Sequence, residues 1–252
     1  MAQLSITPTP LPQPDGESMM QEDPIDTQAI RSTLLDAAMM HVPFDGWSET
    51  SFRAAITDTG LAPSLARAAC PRGAIDLAME YHRRADRVME ERIARTDMSA
   101  LRMRDRIAAA VRFRFEAVDD KEAVRRAVSL FALPPYAGDG AKLVWETVDK
   151  IWNALGDRSD DINWYTKRAS LAAVYSATLL YWLGDDTHDS AATWAFLGRR
   201  IEGVMQFEKA KAGLRASPVL KPFLMGPEWL ARRIRPPHLR SRGGRAMPGS
   251  LG

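Results

Sequence analysis

The chain has 252 residues, 46% of them hydrophobic and 26% charged, enough for one good-sized core or a small head on a larger body, which excludes a wholly disordered protein. Its formal charge of +2 is too near neutral to announce a nucleic-acid or membrane partner, so electrostatic arguments rest on where the charges sit. The single cysteine, Cys70, excludes an internal disulfide framework and fits a reducing compartment, and beside Pro71 among alanines it reads as a packing group.

The first thirty residues hold no Lys or Arg but carry Asp15, Glu17, Glu22, Asp23 and Asp26 among five prolines, so residues 1–25 read as a disordered acidic leader. A mitochondrial leader is Arg-rich and a secretory signal has a basic start and an apolar run. This composition therefore leads us to expect a bacterial cytoplasmic protein, peripheral to the inner membrane.

From residue 26 onward the apolar spacing is helical and no stretch alternates at the strand period, which predicts an all-α fold. A first helix over 26–41 places Ile30, Leu34, Ala38 and His41 on one stripe, with Asp26 or Thr27 as its cap and Val42-Pro43 as its end. Ser48 caps a short helix running to Asp58, closed by Thr59-Gly60, and a second short helix occupies 63–69. Pro71 and Gly73 introduce a long helix with Ile75, Ala78, Met79, His82, Ala85, Met89 and Ile93 at spacings of three and four. Residues 26–95 thus form a helix-turn-helix head.

Residues 96–215 form the body. Ile107, Val111, Phe115 and Val118 make one stripe, and Val124, Val128 and Phe131 make the next before Pro134-Pro135. Gly138-Asp139-Gly140 reads as a turn leading into a helix with Trp145, Val148 and Trp152. Ala169–Leu183 carries no charge, is too short for a bilayer span of roughly 20 residues, and so reads as a central helix sheathed by others or lining an apolar cavity. Asp189 or Ser190 caps the last helix, from 189 to 214. Residues 216–252 form a basic tail, in which Phe223, Leu224, Trp229 and Leu230 beside Arg232 and Arg233 have the composition of a membrane-surface anchor. Pro218, Pro222 and Pro227 interrupt any continuous amphipathic helix there.

Nothing in the chain asks for an enzyme, a metal or a cofactor. His41, His82, His188 and His238 fall in separate segments without a metal-ligand spacing, and Asp185, Asp186, His188 and Asp189 read as a solvated turn. Gly138, Gly140 and Lys142 do not match a phosphate loop.

Gly46-Trp47-Ser48 followed by Thr59-Gly60-Leu61 resembles the head of TetR-family regulators. Four runs sharpen this: His41 to Trp47, Pro71 to Leu77, Asp161-Ile162-Asn163-Trp164-Tyr165-Thr166-Lys167-Arg168, and Tyr181 to Asp186. They resemble the lipid-binding accessory proteins of ubiquinone biosynthesis, the ninth member of the Coq set, over residues 26–235. The resemblance implies a TetR-like fold that has given up DNA. In such a fold a body cavity holds an isoprenoid or quinone-like lipid, and the protein assists the di-iron demethoxyubiquinone hydroxylase.

On that resemblance Phe131, Val144, Trp145, Val148, Trp152, Leu171, Tyr175, Leu179 and Trp182 are expected to bind lipid, although spacing alone makes them ordinary core. Asp161, Asn163, Trp164, Tyr165 and Arg168 are expected to meet the hydroxylase, Trp164 and Tyr165 being large aromatics in a polar setting where exposure is common. The alternative for Trp164 is a cover over the end of the bundle. The main rival function is a TetR-like ligand-responsive regulator, and a homodimer is left open. Against DNA binding, residues 48–75 offer only Arg53, Arg67 and Arg72, offset by Glu49 and Asp58.

Overall fold

The computed structural model of the chain describes residues 26–159 and 162–216, with side chains through Gln206. The described residues form ten α-helices and one 3-10 turn, with no strand. The leader and the basic tail lie outside them.

The head opens with α1 (Thr27–Ala38), capped by the Asp26 carboxylate, which accepts from the backbone N–H groups of Gln28 and Ala29. Contrary to expectation α1 stops short of His41, and Val42–Asp45 forms a separate helical turn, α2. Pro43 lacks the N–H that a continuing helix needs but fits a first turn. In α3 (Glu49–Thr59), Ser48 and Ser51 cap each other reciprocally, and Gly60, at φ 65°, closes the helix in the left-handed region. Next come α4 (Pro63–Ala69) and α5 (Ala74–Arg95), whose 22 residues span about 33 Å. That length lets α5 serve two cores.

One core joins Leu34, Leu35, Phe52, Cys70 and Leu77 with Ala123 from α7 (Lys121–Phe131). The Trp47 indole N–H donates to the Ala123 carbonyl at 3.0 Å and the Tyr81 hydroxyl donates to the Asp120 carbonyl at 3.0 Å. The head core is therefore completed by a helix that comes after the long connector.

The second core contains Met89, Val111, Phe115, Ile151, Tyr175, Trp182 and Leu197. It is built by α5, α6 (Met103–Glu116), α8 (Ala137–Ala154), α9 (Ile162–Leu183) and α10 (Ala191–Ala216). Gly138-Asp139-Gly140 is the first turn of α8, not a turn before it. A Cβ at Gly140 would sit 2.8 Å from the Phe131 Cβ, so glycine allows α8 to start hard against α7, and Asp139 pairs with Arg72 at 2.8 Å.

Nor is α9 sheathed on all sides. Leu180 is 62% and Tyr181 40% exposed, and Tyr181 stacks on Phe196 of α10 at 4.4 Å. The expected caps of α10, Asp189 and Ser190, lie instead in a 3-10 turn (His188–Ser190) with φ 52° and 53°. Asp185 does that work. Its carboxylate accepts from the Thr187 and Thr193 hydroxyls and backbone N–H groups, which hold it well below the usual carboxylate range.

Candidate functional site

A cavity of about 290 Å³ lies where α5, α6, α7, α8 and α9 converge. Its walls are apolar, from Phe115, Val128, Phe131, Val144, Leu179 and Trp182. Ala132, Ala137, Ala141 and Leu180 are exposed and form its mouth.

Its inner end is polar. Arg114, only 4% exposed, donates from Nε to Asp86 Oδ1 at 2.5 Å and from Nη2 to the His82 carbonyl at 3.0 Å. Asp86 also accepts from the Thr147 hydroxyl, and His82 Nε2 lies 2.8 Å from Thr147 Oγ1. Lys150 Nζ approaches Asp86 at 3.8 Å and Glu90 at 3.3 Å. Burial, reinforced by the nearby Arg114 charge, pushes His82 well below its ordinary value, so the imidazole is neutral near pH 7. Tyr175 stacks on Phe115 at 5.4 Å, and burial raises its hydroxyl above the ordinary tyrosine value.

Of the residues expected to bind lipid, Phe131, Val144, Tyr175, Leu179 and Trp182 line this cavity. Trp152 and Leu171 line a second one, of about 450 Å³, between α6, α9, α10 and the α8–α9 connection. Trp145 and Val148 line neither. Trp145 packs against Trp164 at 6.0 Å and Val148 is wholly buried in core. Tyr81, His82 and Arg114 went unanticipated at the cavity, because the only sequence signal, His82 on an apolar stripe, reads equally as a core histidine.

The start of α9 differs from the exposed aromatic surface expected there. Trp164 is 5% exposed and Arg168 is completely buried. The Arg168 guanidinium lies 4.0 Å from the Trp164 ring centre and donates to Asp149 at 2.6 Å, Asp157 at 3.1 Å and Asn153 at 3.0 Å. These partners turn Arg168 inward and make Trp164 its cover, so neither presents a free face. At Asp157, burial is outweighed by hydrogen bonds from Lys167, Ser159 and Arg168, which draw its carboxyl down to about 2. Asn163 is exposed and Tyr165 half-buried beside Trp164. Asp161 lies outside the described residues, as do Phe223, Leu224, Trp229, Leu230, Arg232 and Arg233.

The COQ9 family model matches residues 137–208, a segment that contains all of α8 and α9. The mitochondrial ubiquinone biosynthesis protein COQ9 of Drosophila melanogaster is 33% identical over 185 residues, covering 71% of this chain and 56% of that protein. Its Homo sapiens counterpart is 30% identical over 193 residues, covering 73% and 60%. The chain belongs to the COQ9 family. It spans 56–64% of the length of the fly, human and rat COQ9 proteins.

The fold is TetR-like and all-α. A TetR transcriptional regulator from Nitrosomonas europaea superposes with a TM-score of 0.56 at 18% identity, covering 69% of this COQ9-family chain and 97% of the regulator. The expected bacterial cytoplasmic location is overturned, because the COQ9 relatives of fly, human, rat and Dictyostelium discoideum are mitochondrial proteins. That expectation rested on the composition of the first thirty residues, nearly all of them outside the described structure.

Proposed function

We propose that this COQ9-family chain is a non-enzymatic accessory protein of ubiquinone biosynthesis that holds an isoprenoid or quinone-like lipid and assists the demethoxyubiquinone hydroxylase. The observation carrying this reading is the 290 Å³ cavity, open at an apolar mouth and walled by apolar groups, close to the lower end of the roughly 300–1,000 Å³ typical of ligand pockets. The relatives' shared name as ubiquinone biosynthesis proteins supplies the pathway.

The hydroxylase docks at the start of α9, where Asn163 and Tyr165 reach the surface while Trp164 and Arg168 hold the helix in place. Phe223, Leu224, Trp229, Leu230, Arg232 and Arg233 approach the membrane surface, and no helix among the described residues is long and apolar enough to cross a membrane. A second copy of the chain packs on the partly exposed Tyr181–Phe196 stack of α9 and α10 and leaves the cavity mouth open.

The TetR-like fold favours one other reading, a DNA-binding regulator. The surface of α4 argues against it: Pro63, Ser64, Arg67 and Ala68 are exposed, and Arg67 is already paired with Glu49. Little remains there to meet phosphates or base edges.

Organic extraction of the purified chain, followed by mass spectrometry, tests the lipid reading against an unrelated helical protein prepared in parallel. A near-stoichiometric isoprenoid or quinone-like lipid is the expected result. An empty extract removes the lipid-carrier mechanism.

A further inference from the structure

The cavity has two chemically different ends. Ala132, Ala141 and Leu180 at its mouth are apolar, with Ser176 one turn before Leu180 adding a single hydroxyl to the lining, whereas the inner end gathers His82, Arg114 and Tyr175. Tyr175 is 1% exposed and lines the cavity, yet among the described residues nothing hydrogen-bonds its hydroxyl. The buried side-chain polar atom without a partner among the described residues is Trp152 Nε1, not the Tyr175 hydroxyl, which keeps accessible area at the cavity and so has a donor that an oxygen brought by a ligand can take up.

The charges around it restrict what that oxygen can be. Arg114 is neutralised by Asp86 at 2.5 Å, His82 is neutral, and Lys150 lies between Asp86 and Glu90. A carboxylate or phosphate would enter with no uncompensated cation to receive it and with Asp86 close by. A neutral carbonyl oxygen meets no such penalty and accepts from a hydroxyl as readily.

We propose that the lipid enters this cavity head first. A neutral ring oxygen accepts the Tyr175 hydroxyl hydrogen at the inner end, and the isoprenoid tail leaves between α7 and α9 past Val128, Phe131 and Leu179. The proposal rests on the lipid-binding reading above and adds the orientation and the head-group chemistry. The 290 Å³ volume takes a substituted ring with the first part of a tail, so a long tail continues outside the mouth.

Calorimetric titration of the full chain in dilute detergent tests it with two probes, a decyl-tailed dimethoxybenzoquinone and decylbenzene, which shares the tail but lacks ring oxygens. The wild-type chain is expected to bind the quinone roughly tenfold tighter than the hydrocarbon. Tyr175→Phe, which keeps the ring, should weaken the quinone by about three- to tenfold and leave the hydrocarbon unchanged. Val144→Trp, which fills this cavity and not the larger one, should abolish binding of both.

Equal binding of the two probes by the wild-type chain overturns the head-first orientation and stands even if Tyr175→Phe fails to fold. A folded Tyr175→Phe that binds the quinone as the wild type does, or quinone binding that survives Val144→Trp, also overturns it. If neither probe binds the wild-type chain, the lipid-binding reading falls with it.

Discussion

Replacing Trp164 with alanine separates structural anchoring from partner docking at the start of α9. The ring is 5% exposed, lies 6.0 Å from Trp145 and 4.7 Å from Tyr165, and sits beneath the Arg168 guanidinium at 4.0 Å. Deleting a buried tryptophan costs about 3–5 kcal/mol, and losing the stacked cation adds about 0.5–2 kcal/mol. Arg168 keeps Asp149, Asp157 and Asn153, so no buried charge is orphaned and the total stays near about 3.5–7 kcal/mol, or about 7–28 °C in Tm for a chain of this size. Circular dichroism melts at fixed pH read this directly, with Trp164→Phe as the milder control. A Tm for Trp164→Ala within about 2 °C of wild type would refute the buried-anchor argument. Tyr165→Ala is the better docking probe, expected to weaken capture of the hydroxylase while melting near wild type.

Three further perturbations test the packing around the cavity. Arg114→Ala strands Asp86 in the interior and should cost about 3–5 kcal/mol in urea unfolding, whereas Arg114→Met combined with Asp86→Leu should recover a large part of that loss. His82 is held neutral in the folded chain, so below about pH 6.5 the unfolded chain takes up a proton that the folded one refuses. Stability should therefore fall as pH drops below 6.5, and His82→Gln should flatten that limb of the stability curve. Gly140→Ala places a methyl 2.8 Å from the Phe131 Cβ and should destabilise by about 1–3 kcal/mol, seen as a lower urea midpoint with an unchanged slope.

Local signals explain why α3 and α4 were legible in the sequence. Ser48 finds its capping partner at Ser51, Gly60 closes α3 one residue after its end, and Pro63 opens α4, so each boundary is written within a few positions of itself. Gly138-Asp139-Gly140 shows how the same signals mislead. Two glycines around an aspartate have the composition of a turn, but Gly140 is there for a contact with Phe131 on another helix, and the chain is already helical. Of the two readings of the uncharged run in α9, the helix lines an apolar cavity and is not sheathed on every side. Composition shows that a helix can be sheathed and not which neighbours cover it, and the Leu180–Tyr181 side is left open.

The site residues were harder to read because their roles are set by partners far along the chain. Polar neighbours around Trp164 suggested an exposed aromatic. Asp149 and Asp157 are instead the groups that satisfy Arg168, and a satisfied guanidinium can be buried under an indole. The cavity's inner end is further still from local reading: Asp86 meets Arg114 across 28 positions and Thr147 across 61. Apolar spacing could point to Phe131, Leu179 and Trp182 as candidates for a wall, because walls need only apolar groups on the facing sides of helices. A polar floor needs α5, α6, α8 and α9 to bring their polar side chains to a common point. Only the packed structure shows that Tyr175 arrives there with its hydroxyl unspent.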